Sequence, residues 1–393
     1  MSDKKSVLIL FKERKKETPN SFYYERKFSR EYKVFTIFIS DYLIFNSPKI
    51  IKKINSIIMK QKISVVLFEG DHLSIFDTKF IKSIDARVKK GIFLQDDYML
   101  HYINRITASA CDFVLTACPL SDLKFKILGY NSIFLPVEAD GSIFKDYNEK
   151  KIYDILFFGR VKNNRSHMVK YLKNNGLNIL ECGPYDTISD TPEKLAKVIN
   201  KSKIVLNFSE SDNKNRENNQ LSHYKYYYQM KGRVCFIGMC NSLCVSEYSP
   251  SNELIFNHNE IPYFKEKEDC LKIIQKLIKD DLALINATKK YREKCLEFED
   301  SNYMKKIKNF IETLDLNKKI EVKIPYWYEY AFFKKNIMLR FRQNNFFSFF
   351  SQVFISIFQT NYKTKYLIPI FFSLGFFASL LFIIRFPLKK LKK

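Results

Sequence analysis

The sequence predicts an α/β protein with two open parallel sheets facing a cleft, followed by C-terminal hydrophobic helices that associate with a membrane. Three observations carry that expectation. Short apolar runs alternate with helix-length segments from residue 6 to about 317, the pattern of sheet strands joined by crossover helices. The runs form two series separated by the polar link 138–151. Residues 366–384 then carry no charge at nineteen consecutive positions, close to the ~20 that a bilayer-spanning helix needs. A chain of 393 residues with 46% hydrophobic content is long enough for two cores of ordinary size.

The first series reads SVLILF (6–11), KVFTIFIS (33–40), ISVVLFEG (63–70), GIFLQDD (91–97), DFVLTA (112–117) and SIFLPV (132–137). Each run is β-branched or aromatic, and several end in Gly, Asp or Ser, which favour turns. The second series reads YDILFFGR (153–160), LNILECGP (177–184), KIVLNFS (203–209), SLCVSEYS (242–249) and ELIFN (253–257). Leu271, Ile274, Leu277 and Ile278, then Met304, Ile307, Phe310 and Ile311, recur at helical spacing. They predict helices that cover the second sheet, the last returning to the first domain. The tract 210–230 is polar and then Tyr-rich and reads as a loop beside the cleft. Two such sheets in tandem place ligands outside the carboxyl ends of the strands. The resulting domains are 1–145, 146–317 and a membrane-anchoring region 318–393.

A net charge of +24 raises nucleic acid as a partner, so its distribution decides. From 321 to 393 twelve Lys or Arg stand against Glu321 and Glu329, a net of +10 within the most apolar part of the chain. Basic charge beside long apolar runs suits anionic membrane lipids better than a nucleic-acid groove. The mixed basic and aromatic segment 332–358 suits an interfacial helix. No nucleic-acid partner is expected.

The eight cysteines are scattered singly and read as reduced core residues. Cys240 and Cys244 stand close together with Cys235 nearby, but no second Cys or His pair completes a zinc set. No metal and no cofactor are expected. The apolar run 7–11 is too short for the core of a signal peptide, so the folded domains are expected in the cytoplasm. Five basic residues follow 384, whereas only Lys363 and Lys365 closely precede 366, which favours a cytosolic tail. A re-entrant or monotopic anchor on the cytosolic leaflet, bent at Pro369 and Gly375, reconciles the two; a tail-anchored span is the alternative.

The most specific stretch is KGRVCFIGMCNSLCVSEYSPSNELIF, residues 231–256. It resembles the corresponding segment of CgeB-like (spore maturation protein B-like) and related group 1 glycosyltransferases. The likeness extends over about residues 60–310 through YDILFFGR, LNFS, FLQDD and the helices after 268. The resemblance implies a GT-B fold of two Rossmann-like domains, with an acceptor in the first and a nucleotide sugar, as donor substrate, in the second. It also implies a Glu where this chain has Phe236 and a Gly where it has Asn241.

The residues themselves fit such a ligand. A diphosphate needs backbone N–H groups and cationic side chains near a loop or helix start. Gly159 and Arg160 end the first strand of the second series, where Gly permits close backbone approach and Arg reaches a phosphate. Lys231 and Arg233 open an expected helix, and Glu247, Tyr248 and Ser249 end the next strand. In the first domain, Asp96 or Asp97 is the first candidate for a general base and His72 the second, with Glu69, Gly70 and Gln95 beside them. Strand-end Asp residues are equally natural helix caps. The expected function is transfer of a sugar from a nucleotide donor to a lipid-linked or cell-surface glycan acceptor at the cytosolic membrane face. The alternative is an inactive scaffold of the same fold that binds glycan or partner enzymes at the membrane.

Overall fold

The computed structural model describes residues 4–11, 19–39, 47–70, 76–137, 139–160, 164–183, 186–209, 230–316, 320–325, 327 and 328. The chain divides into two compact units, Met1–Lys323 and Ile324–Lys393, and both sheets lie in the first. Among the described residues no helix is long and apolar enough to cross a membrane. Segments 332–358 and 366–384 lie outside the described residues, so the expected membrane-associated helices rest on sequence alone. The tract 210–229 and His72 also lie outside them.

The first sheet has the order β2-β1-β3-β4-β5-β6, from β1 (Ser6–Phe11), β2 (Lys33–Phe38), β3 (Ile63–Glu69), β4 (Lys89–Leu94), β5 (Phe113–Thr116) and β6 (Ser132–Phe134). Every pairing is parallel. Strand β1 is buried at all six positions, as expected of a central strand covered on both faces, and so it reads as an unbroken apolar run. The second sheet has the order β11-β10-β9-β7-β8, from β7 (Tyr153–Phe158), β8 (Ile179–Cys182), β9 (Ser202–Asn207), β10 (Leu243–Glu247) and β11 (Tyr263–Phe264). It too is parallel throughout. Strand β7 lies between β8 and β9, so the chain reverses its direction of travel across the sheet there. That reversal opens a crevice outside the carboxyl ends of β7 and β9.

Residues 253–257 are not a strand, contrary to their apolar pattern. Ser249 caps the short helix Pro250–Glu253 by accepting from Ser251 N at 3.2 Å, and Pro250 presets the first turn. Phe256 is fully buried, its ring 5.6 Å from Tyr291 and 5.7 Å from Phe298. The run is apolar because a turn is buried, and the last strand is the two-residue β11.

The closing helix Asp300–Glu312 buries Tyr303, Met304, Ile307 and Ile311 and returns to the first sheet, as the sequence indicates. Tyr303 Oη donates to Phe134 O at 3.0 Å, and Lys89 Nζ donates to Ile311 O at 2.6 Å. At its start Asp300 pairs with Lys27 at 2.6 Å, the side chains 7% and 2% exposed. Lys27 also donates to Pro136 O. Removing one partner of so buried a pair strands the other charge, at a cost of about 3–5 kcal/mol.

The carboxyl ends of the two sheets meet. Cys118, just beyond β5, places Sγ 3.3 Å from Oγ of Ser251, just beyond β10. A Cβ at Gly232 would lie 3.5 Å from Cβ of Val137, just beyond β6.

Candidate functional site

The second sheet's crevice is built around the end of β7. Phe158 closes the strand and Gly159 follows with φ +123°, a conformation that L side chains rarely adopt. Arg233 reaches this point from the 3₁₀ turn Gly232–Cys235. Its guanidinium lies 4.6 Å from the centroid of the Phe158 ring, and Nη1 donates to Phe158 O. A Cβ at Gly159 would stand 3.2 Å from Arg233 Nη2. The glycine therefore serves two needs: the left-handed backbone and the close seat of the guanidinium.

Lys231 and Arg233 open a 3₁₀ turn rather than an α-helix, Lys231 being the half-buried residue before it. The turn is short because Phe236 ends it and is drawn into the core. Its ring is 1% exposed, stacked 4.0 Å from Phe144 at 22° and 6.2 Å from Phe158 at 28°. Gly238 opens a second turn, Gly238–Cys240, where a Cβ would come within 2.7 Å of Cys295 Sγ. Asn241 ends that turn at φ 56°, a left-handed position that Asn tolerates better than other side chains. Burial pushes the thiols of Cys235, Cys240 and Cys244 up to about 12, so they stay protonated at neutral pH. Arg160 is exposed, its carbonyl accepting from Arg165 Nη1 at 3.5 Å.

Glu247 ends β10 beside the end of β9. Its Oε2 accepts the backbone N–H of Ser209 at 2.8 Å. Tyr248 turns away from that bond and donates to Glu253 Oε2 at 2.6 Å, which lowers the Glu253 carboxyl below its ordinary range. Ser249 is buried and spent on its helix cap. These three neighbours thus have separate duties; Glu247 and Tyr248 are both half-buried, and Glu247 is the one bonded to the end of β9.

On the first sheet, Gly70 follows β3 so closely packed that a Cβ would come within 2.8 Å of Phe93 O. Asp96 is the half-buried residue before helix Asp97–Ala108, with no side-chain cap bond. Asp97 is fully buried and accepts from Asn104 Nδ2 at 2.9 Å, while its Oδ2 lies 2.7 Å from His101 Nδ1. A carboxylate so enclosed acts on its neighbours rather than on a ligand. Gln95 Nε2 donates to Tyr24 Oη at 3.3 Å. The structure thus brings Gly159 and Arg233 together at the end of β7, with Lys231 two positions before Arg233 in the chain, and sets Glu247 at the β9–β10 edge. A group that sequence reasoning missed lies behind Glu247: Asn207, Ser209, Ser246 and Asn252, all fully buried. Single Asn and Ser residues carry no periodic or motif signal, and only the LNFS run hinted at it.

Residues 165–312 match a glycosyl transferase-like family. Among solved structures the chain is similar to sucrose-phosphate synthase from Thermosynechococcus elongatus, at 8% identity over 79% of this chain and 100% of that one, TM-score 0.52. It is similar to HepE from Anabaena in complex with UDP and glucose, at 10% identity over 79% and 100%, TM-score 0.53. A glycosyltransferase from Rickettsia africae ESF-5 aligns at 10% identity over 79% and 100%, TM-score 0.50. No curated protein matches the chain in sequence. At such identities the likeness is one of fold, the two-sheet GT-B arrangement of glycosyltransferases.

Proposed function

We propose that this chain is a nucleotide-sugar-dependent glycosyltransferase whose donor lies in the crevice at β7 and whose acceptor is a lipid-linked or cell-surface glycan at the cytosolic membrane face. The observation that carries the reading is the Arg233 guanidinium seated over Gly159 at the end of β7. A diphosphate there meets a cation held by a ring face and a backbone carbonyl, and needs no reorganisation as charge develops. Transfer forms a bond from the acceptor oxygen to the anomeric carbon and breaks the bond from that carbon to the diphosphate. Arg233, with Lys231 beside it, neutralises the departing oxyanion, which requires no metal. Glu247 offers an acceptor for a ribose hydroxyl.

The match over residues 165–312 and the UDP held by HepE support a nucleotide-sugar donor. The narrower likeness to the CgeB-like branch rests on residues 231–256. The membrane-bound acceptor rests on the uncharged run 366–384 and the basic residues around it, since confinement to a surface raises an acceptor's effective concentration. For the first domain, Asp96 and His72 are the proposed acceptor-side groups, with Asp97 supporting the helix that starts there.

An inactive scaffold is the second reading, favoured by one observation: Phe236 is packed in the core, so this position presents no carboxylate to a ligand. Transfer of radiolabel from UDP-, GDP- and CMP-sugars into a membrane lipid extract decides. Label reaching the lipid phase with the wild type and not with Arg233→Ala supports the enzyme. Nucleotide or glycan binding with no transfer and no donor hydrolysis supports the scaffold.

A further inference from the structure

Behind Glu247 lies a closed set of buried hydrogen bonds that the donor site does not itself require. Asn207 Nδ2 donates to Ser246 Oγ at 2.9 Å and to Ser209 Oγ at 3.5 Å. Asn252 Nδ2 donates to the same two hydroxyls, at 3.0 Å and 3.3 Å. Each hydroxyl in turn donates to one acceptor, the Glu247 carbonyl, from Ser246 at 2.8 Å and from Ser209 at 3.1 Å. Ser209 N–H completes the circuit on the Glu247 carboxylate at 2.8 Å. Both amide nitrogens spend their two hydrogens, and both hydroxyls spend their one.

The circuit leaves the carbonyl oxygens Asn207 Oδ1 and Asn252 Oδ1 buried without a partner. An unpaired buried acceptor is costly, and native cores carry few of them. An apolar pair at 207 and 252 would avoid that cost but would leave the Ser209 and Ser246 hydroxyls free to rotate. Asn207 ends β9 and Asn252 lies in the short helix after β10, and the hydrogen bonds they donate hold the Ser209 and Ser246 hydroxyls in one orientation at the crevice.

We infer that Asn207 and Asn252, acting through Ser209 and Ser246, are positioning residues that fix the Glu247 carboxylate for recognition of a nucleotide ribose. The inference rests on the proposed donor site. None of the four touches the ligand; each holds the two ends of the Ser209–Glu247 clamp at one spacing, so that the carboxylate points one way before the nucleotide arrives. Preorganisation of this kind lowers the cost of binding without adding a contact.

Two measurements test it separately from the reading it rests on. The first needs no ligand: the hydrogen-exchange rate of the Ser209 amide in the full chain in detergent. Asn252→Ala, and Ser246→Ala as a smaller change that keeps the core volume, are expected to speed that exchange at least ten-fold while exchange in β1 is unchanged. Unaltered Ser209 exchange in both overturns the inference, whatever the protein binds. The second is a double-mutant cycle on the affinity for whichever of UDP, GDP and CMP the wild type binds. Asn252→Ala and Glu247→Ala are each expected to weaken that nucleotide about ten-fold, and the double variant no further than Glu247→Ala alone. Additive losses, or an Asn252→Ala protein that binds the nucleotide like the wild type, overturn the positioning role. Failure of UDP, GDP and CMP alike to bind the wild type counts against the donor reading and against the ribose-recognition role of the clamp, and leaves the exchange result to judge only whether the network holds the clamp.

Discussion

Arg233 and Gly159 are fitted to each other: a Cβ at 159 would stand only 3.2 Å from the guanidinium nitrogen Nη2, tighter than an ordinary contact. The contact joins the first strand of the second sheet to the segment 231–256. Neither residue performs its part alone, because the arginine needs the open space and the glycine's φ of +123° excludes ordinary side chains.

Gly159→Ala therefore costs stability twice, through the backbone and through displacement of Arg233. A loss of about 1–3 kcal/mol is expected from the backbone alone, read as a lower urea midpoint. Nucleotide affinity is expected to fall in the same variant, since the cation moves. An unchanged midpoint would show that the backbone relaxes freely at this position.

Phe236→Glu restores the residue type that the resemblance calls for, and it is expected to damage the protein rather than improve it. The ring packs between Phe144 and Phe158, and removal of a buried Phe to Ala typically costs about 3–5 kcal/mol. A carboxylate there adds a desolvation penalty. Chemical denaturation of Phe236→Ala and Phe236→Glu should place the Glu variant lower. A Glu variant that is stable and gains nucleotide affinity would mean that position 236 faces the ligand.

Lys151 ties the link between the sheets to the second sheet, donating to the carbonyls of Ser202 at 2.9 Å and Asn241 at 2.5 Å and to Ser242 Oγ at 3.0 Å. Burial lowers its pKa to about 8, whereas the unfolded chain keeps a value of about 10.4. Between those values the unfolded state binds more protons, so stability from this group rises with pH, by at most roughly 1.4 kcal/mol per unit. Below about pH 8 both states are protonated and the contribution is flat. The stability difference between wild type and Lys151→Met, followed from pH 7 to 10, should climb only above about 8. A difference that is level across the range would show that the three acceptors fully offset the burial.

Most of the two sheets was legible because central parallel strands are apolar throughout and stand out from polar links. SVLILF and YDILFF are read without ambiguity for that reason. The run ELIFN misled because Phe256 is buried from a turn, and composition alone does not separate a buried turn from an edge strand. The glycines and cations of the crevice were legible as residue types at strand ends. Their mutual fit was not, since Arg233 and Gly159 lie 74 positions apart in sequence. Asp97 looked the same as Asp96 in sequence, and only the fold shows it sealed between His101 and Asn104.

Calorimetric titration of the detergent-solubilised chain with UDP, GDP and CMP, repeated on Arg233→Ala and Arg233→Lys, tests the central claim most directly. One nucleotide should bind the wild type, at least ten-fold more weakly to the alanine variant and with intermediate strength to the lysine variant, which keeps the charge without the fork. Binding that is equal in all three proteins, or absent from the wild type, would contradict a donor site at the end of β7.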